Sequence, residues 1–314
     1  MSWLDTLNLT FAQNVVINYF GETAFDIFDV FPRLNVQKDA GYIVGYDKDT
    51  LLDIGNPEDY TIMGSVEAPE ITSKAIRKDY VCLRRSAKIL VDQDRVENTS
   101  TPYAAIKDAT AQLKDSLGRI LIKNFVSKVF NTSVWNNVKA GGTTTAQDFI
   151  AWNQSTSDPI KDFDNFNSDL VLSKTGYKCN QLVVTNDVFV ALKHNDSIKG
   201  LLPATDTKIL TEDKLANLFG VKKFTVVDTI DINGFMVQNM ALMLYTTDAP
   251  SQTTPSAGYI CVSRNEGTKK SKYVGVRLYK QPEKNQSLAI EGTFKIDPVI
   301  TCPDLGVLLT NVLA

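Results

Sequence analysis

One run of residues constrains this chain more than any other. After Asn98-Thr99-Ser100-Thr101, Pro102 stands where a first helical residue goes, and apolar residues recur at Ile106, Ala109, Leu113, Leu117, Leu121, Phe125 and Val129. A proline in the first turn loses no hydrogen bond, and the recurrence keeps the apolar side chains on one side of a helix. The pattern predicts an amphipathic helix over residues 102–130, about 44 Å long at 1.5 Å per residue. That is well above the usual globular helix, and its apolar face belongs in a core. Gly118 in its middle costs about 1 kcal/mol relative to Ala and predicts a close contact or a bend.

The segments before the helix read as an arm and an excursion. Residues 1–29 scatter Trp3, Phe11, Tyr19, Phe20 and Phe28 around a short helix expected at residues 10–20. Tyr42-Ile43-Val44 and Tyr80-Val81-Cys82-Leu83 are strand-like, and between them runs a polar stretch punctuated by Gly45, Gly55, Pro57, Gly64 and Pro69. This predicts a long two-stranded arm with a thin core. Isolated hairpins are marginal in water, so such an arm needs a partner surface.

After the helix, residues 136–145 carry Gly141-Gly142 and three threonines and read as a loop. Helix and strand signals then alternate: Ser157-Asp158-Pro159 opens a helix, residues 181–185 (QLVVT) form a buried strand, Asn186 caps a short helix, and Thr211-Glu212-Asp213 opens another before the strand at residues 224–228. Strands return at residues 259–262, 274–278 and 288–300. In the last of these, Glu291, Thr293, Lys295 and Asp297 alternate with Ile290, Gly292, Phe294 and Ile296, which predicts one wet face. The order of elements gives an α+β fold, and 314 residues suffice for about two domains.

Little in the chain points to chemistry. His194 is its only histidine and lies in a polar helix-end context, LKHNDS, suited to a surface or capping role. Cys82, Cys179, Cys261 and Cys302 form no CxxC pair and read as buried thiols in a reducing compartment. Gly141-Gly142-Thr143 lacks the lysine and flanking strand of a phosphate loop. The carboxylates Asp162 and Asp164, and Asp228 and Asp231, have the polar neighbours of caps and solvated faces. No catalytic, metal or cofactor site is expected.

The opening stretch MSWLDTLNLTFAQ, without a basic start or a long apolar run, does not read as a secretory signal, and no apolar run is long enough for a membrane helix. With 33 basic and 36 acidic residues the formal charge is −3, so any nucleic-acid contact should be weak and local. The one dense basic patch, Lys269, Lys270 and Lys272 near Arg264, reads as a solvated loop or a weak contact with DNA or a subunit.

Several blocks nonetheless carry a resemblance: VFPRLNVQKDAGYIVGYDKDT at residues 30–50, DYVCLRRSAKILVDQDRVENTSTPYAAIKDATAQL at 79–113, SDPIKDF at 157–163, and NQLVVTNDVFVALKHNDSIKG followed by LTEDKLANLFGVKKFTVVDT over 180–229. In this order the sequence resembles the major capsid protein family of tailed double-stranded DNA bacteriophages. The resemblance implies an N-terminal arm (1–35), an extended loop lying over the adjacent subunit (36–92), and a peripheral domain with a long spine helix (93–150 and 258–300). An α/β axial domain (151–257 and 301–314) completes it, with residues 199–208 near the capsomer axis.

The function implied is self-assembly into hexamers and pentamers of an icosahedral shell holding packaged DNA. The expected location is the virion capsid, after assembly in the bacterial host cytoplasm. Expected partners are further copies, a portal, decoration proteins and a scaffold protein, the last a separate chain on the ground that this one starts at Met1. Candidate intersubunit pairs set Arg77, Lys78, Arg84 and Arg85 against Asp47, Asp49, Asp53 and Glu58. An encapsulin-like nanocompartment shell is the alternative, and a soluble α/β enzyme or binding module a second.

Overall fold

The structure, a computed structural model, describes residues 12, 27–48, 51, 76–98, 101–144, 146–201, 210–227, 230–231, 234–263, 270–271, 274–281, 283–284 and 287–314. The expected helix at residues 10–20 lies outside them except for Ala12, as do most of residues 1–26 and 49–75.

In chain order the first strands are β1 (Arg33–Val36), β2 (Ala40–Gly45), β3 (Ile76–Val81) and β4 (Arg84–Val91). A short helix, Gln93–Glu97, precedes the long helix, Pro102–Val129. Then come β5 (Asn137–Gly142) and β6 (Phe149–Ile150). The helix Pro159–Phe166 continues through a π-helical stretch, Asn167–Leu172, before β7 (Gln181–Thr185). Helices Asn186–His194, Asp196–Leu201 and Glu212–Leu218 lead to β8 (Lys223–Val227). The rest is strand: β9 (Ile230–Asp231), β10 (Gly234–Phe235), β11 (Met240–Leu244), β12 (Gly258–Ser263), β13 (Lys270–Ser271), β14 (Val274–Gln281), β15 (Ser287–Ile300) and β16 (Gly306–Thr310).

The long helix forms as its sequence predicts. The Thr101 side chain accepts a hydrogen bond from the Ala104 N–H at 3.2 Å, and Pro102 occupies the first turn. All seven apolar positions of the predicted stripe are buried, and the helix packs on β4 and β15. Gly118 is not a close approach: a Cβ built there meets nothing within 4 Å.

Two six-stranded sheets organise the core. The first runs β1-β12-β15-β14-β13, with β4 also pairing β15; the second runs β6-β5-β16-β11-β7-β8. The fourteen-residue β15 ties the first together, bonding β14 and β4 along Ser287–Lys295 and β12 along Ile296–Ile300. In the second sheet the C-terminal strand β16 sits between β5, to which it is parallel, and β11.

Two expectations need correction. Residues 136–145 are not all loop: Asn137–Gly142 form β5, and with β6 they join the second sheet although the sequence grouped them with residues 93–135. The partner of β5 is a strand some 170 residues later, which no local pattern reveals. Nor is one face of β15 wet. Thr293 and Asp297 are buried, and Glu291 and Lys295 are half-buried. The β2–β3 hairpin stem covers this face at its C-terminal half, where Asp297 accepts the Val81 N–H at 2.9 Å.

Candidate subunit-contact surface

The hairpin stem pairs Ala40 with Val81 through to Gly45 with Ile76. Side chains alternate across a strand, so the stem has two distinct faces. Inward lie Ile43 and Tyr80, in a small apolar cluster with Leu34, Val36, Cys82, Tyr259 and Cys261 that is separate from the main core. Gly41 lies opposite Tyr80, whose hydroxyl would be 2.8 Å from a Cβ there, so the ring lies across the glycine. Outward lie Tyr42 and Val81, 61% and 51% exposed, followed by Leu83 at 58%. The Arg77 guanidinium stands 4.8 Å from the centre of the Tyr42 ring, and its Nε is 2.7 Å from the Asp79 carboxylate.

Polar joints set the stem's direction. At its root the Asp39 carboxylate accepts from Ser263 Oγ and pairs with Lys295 Nζ, while Asp297 pairs with Lys128 Nζ. These bonds, with the Lys295 ammonium first, hold the Asp39 carboxyl below its usual range. Farther out the Tyr46 N–H donates to the Thr301 carbonyl at 3.1 Å, and the Lys48 N–H to Asp304 Oδ2 at 3.3 Å. From Asp39 to Lys48 the chain therefore runs beside β15 from Lys295 to beyond its end.

The predicted intersubunit residues do not converge on one site. Arg77 is on the outward face; Lys78 is on the inward face and half-buried. Arg84 Nη2 reaches Glu291 Oε1 at 3.3 Å, and Arg85 Nη2 reaches Asn124 Oδ1 on the long helix at 2.9 Å. Asp47 lies at the far end of the stem. Asp49, Asp53 and Glu58 lie outside the described residues, as do Asp228, Arg264, Lys269 and Lys272. Lys270 is a β13 residue opposite Gly275.

Two cations escaped the sequence reading. Glu291 sits between Lys88 on β4 and Arg277 on β14, directly opposite it on either side, and both cations are exposed. The alternation Arg84, Ser86, Lys88 along β4 was the available signal. Its meaning depends on β14, which the sequence does not place.

Among the described residues no group of three or more His, Cys, Asp or Glu side chains could hold a metal ion. No described helix is long and apolar enough to cross a membrane. His194 is exposed in the last turn of its helix. All four cysteines are free and buried; burial pushes the Cys82, Cys179 and Cys302 thiols up to about 12 and raises that of Cys261 further. Asp162 is raised by burial although Trp152 Nε1 donates to it at 3.2 Å. A cleft of about 490 Å³ lies between Phe28, Val30 and Pro32 and the turn carrying Lys222 and Lys223. Its lysines are paired with Asp248 and Asp29, and Asn180 and Gln181 bond within its walls.

No protein-family model matches the chain, and no curated protein sequence does. Solved structures do. A phage-related protein from Bordetella bronchiseptica RB50 superposes with a TM-score of 0.71 at 14% identity, over 95% of this chain and 96% of that one. The capsid of a native GTA particle gives 0.55 at 12% identity over 92% of both chains. This chain has the fold of phage capsid proteins. The holo-SrpI encapsulin of Synechococcus elongatus PCC 7942 is also similar, with a TM-score of 0.50 at 10% identity over 93% of this chain and 92% of that one.

Proposed function

We propose that this chain is the major capsid protein of a tailed double-stranded DNA bacteriophage, building hexamers and pentamers of an icosahedral head. The observation that carries this reading is the likeness to the phage-related protein over nearly the whole of both chains. The first sheet, β1 and β4 included, with the long helix is then the peripheral domain, the second sheet the axial domain, and the β2–β3 stem the base of the extended loop. The residues before β1 form the arm. The head assembles in the host cytoplasm with a portal, a scaffold and decoration proteins, and touches its DNA weakly and without sequence preference.

The stem's outward face supports a subunit role. Tyr42, Val81 and Leu83 leave apolar area on an element with a thin core of its own, and covering it against a neighbour is favourable at roughly 25 cal/mol per Å². Heterologous contacts of this kind close into rings, and a subunit held by several modest contacts gains avidity.

Negative-stain microscopy and sedimentation of the expressed protein test the reading: particles or capsomer rings are expected, and a monomer at micromolar concentration refutes it. Deleting residues 53–73 should leave a folded subunit that yields few or fragile particles; a normal particle yield refutes the loop's role. The encapsulin likeness favours a second reading, a nanocompartment shell. Nuclease-protected DNA within particles made alongside the neighbouring gene products decides for the phage head, and co-purifying enzyme cargo for the nanocompartment.

A further inference from the structure

We propose that Asp304 is a positioning residue that couples the direction of the stem to the angle between the two sheets. Among the described residues the chain passes between the sheets three times: over residues 130–136, from the long helix to β5; over 245–257, from β11 to β12; and over 301–305, from β15 to β16. The three crossings are bonded to one another. The Thr301 N–H donates to the Ala257 carbonyl and the Tyr245 N–H to the Leu305 carbonyl, each at 3.0 Å, and Asn136 Nδ2 donates to Asp304 Oδ1 at 2.9 Å. The short turn Pro303–Leu305 also packs against the π-helical stretch that precedes β7. Any rotation of one sheet against the other has to bend this bundle.

The stem is fastened at both ends, and to different bodies. Its root sits on the first sheet, through Asp39 with Ser263 and Lys295 and through Asp297 with Val81. Its far end sits on the bundle of crossings. The Val44 N–H donates to the Gln252 carbonyl at 3.3 Å, the Tyr46 N–H to the Thr301 carbonyl at 3.1 Å, and the Tyr46 hydroxyl to the Thr253 carbonyl. Gly45 permits this approach, because a Cβ there would lie 2.9 Å from the Thr301 oxygen. Asp304, 4% exposed, closes the joint: Oδ2 accepts the Lys48 N–H at 3.3 Å while Oδ1 accepts from Asn136. A carboxylate accepts on both oxygens where a neutral amide accepts on one, so this side chain can hold the stem's backbone and a second crossing at once. When the bundle bends, residues 44–48 move with it while residue 39 stays with the first sheet, and the stem tilts. The coupling is reciprocal: a stem pushed aside biases the angle between the sheets.

The use made of this coupling rests on the shell reading; the coupling itself does not. A closed shell of pentamers and hexamers asks one chain to serve two curvatures. A stem tied to the angle between the sheets is aimed differently in each ring with no change of sequence.

Hydrogen exchange in the full-length, unassembled subunit tests the coupling. Asp304→Asn keeps the shape and removes one acceptor, so the Tyr46 and Lys48 amides should exchange at least about fivefold faster. Asn136→Ala acts on a crossing rather than on the stem, yet should speed the Lys48 amide at least about twofold. The Val81 and Cys82 amides at the root should be unchanged in both. An unchanged Lys48 amide in Asp304→Asn overturns the proposal. So does a Lys48 amide that responds to Asp304→Asn but not to Asn136→Ala, which reduces Asp304 to a local tie. Should Asp304→Asn speed the root amides as well, through general unfolding, Asn136→Ala alone decides. On the shell reading, Asn136→Ala and Asp304→Asn should also widen the spread of particle diameters in electron micrographs; a wild-type spread overturns the use of the joint in the shell. A wild type that forms no particles refutes the shell reading and leaves the exchange result standing, which keeps the two failures apart.

Discussion

Gly306→Ala should damage the joint between the long helix and the second sheet. Gly306 opens β16 opposite Leu244, and a Cβ there would lie 2.6 Å from Cε3 and 3.0 Å from Cη2 of Trp135. The ring has nowhere to go: Trp135 is 4% exposed, and its Nε1–H donates to the Val129 carbonyl at 2.7 Å, in the last turn of the long helix. Overpacking a filled site costs about 1–3 kcal/mol, and displacing the indole forfeits a hydrogen bond of about 1 kcal/mol. The expected loss is about 2–4 kcal/mol, a fall of about 3–6 °C in the thermal midpoint of the unassembled subunit at about 2.1 cal/mol/K of unfolding entropy per residue. Trp135→Phe removes the six-membered indole ring that makes the clash, so the double variant should lose less than the two single losses combined. Calorimetry or circular dichroism reads both. A midpoint within about 1 °C of wild type, or single losses that add to within about 0.5 kcal/mol, refutes the reasoning.

Three further outcomes are expected. Gly118→Ala has open space for its Cβ and should stabilise the unassembled subunit by about 0.5–1 kcal/mol in denaturant titration. The Asp39 carboxyl is held below its ordinary value of 3.8 by Lys295 and Ser263. Its contribution is therefore fully present above that value and disappears as pH falls through the lower folded value. The stability gap between wild type and Asp39→Asn should be flat near neutrality and close in acid; a gap unchanged down to about pH 2 refutes the assignment. The native subunit at pH 8 should leave all four thiols unreacted with a disulfide reagent, and denaturant should expose four; rapid labelling of Cys82 in the native state refutes its burial.

Where a pattern is local, the sequence spoke clearly. The long helix repeats one instruction over seven turns, from the Thr101 cap to Val129, and every step agrees with its neighbours. The paired strands around Tyr42 and Tyr80 were legible for the same reason. What was hidden depends on distant partners. β5 reads as part of a loop with the threonines that follow it because its strand character comes from lying beside β16, and the polar alternation of β15 reads as a wet face because the residues that cover its C-terminal half belong to the stem. The charge cluster of Lys88, Glu291 and Arg277 was hidden, because these residues are about 200 positions apart at the extremes and meet only through register.

Among the described residues, the stem is attached through an apolar cluster of its own. Seven buried residues outside the main core hold it by apolar contact, and two carboxylates, Asp39 and Asp297, hold it by direction. Partly exposed ion pairs add little to stability, about 0–1 kcal/mol each, yet the bonds they make are geometrically narrow. Asp297 takes the Val81 N–H on one oxygen and Lys128 on the other, so the root of β3 is referred at once to β15 and to the long helix. Rigid reference matters more in a shell than in a monomer. The effective concentration of a neighbour's surface at the stem collapses when the angle is wrong, however favourable each contact is alone. On the proposed shell reading, two modest ion pairs at the root govern how well the outward Tyr42 face can be presented to another subunit.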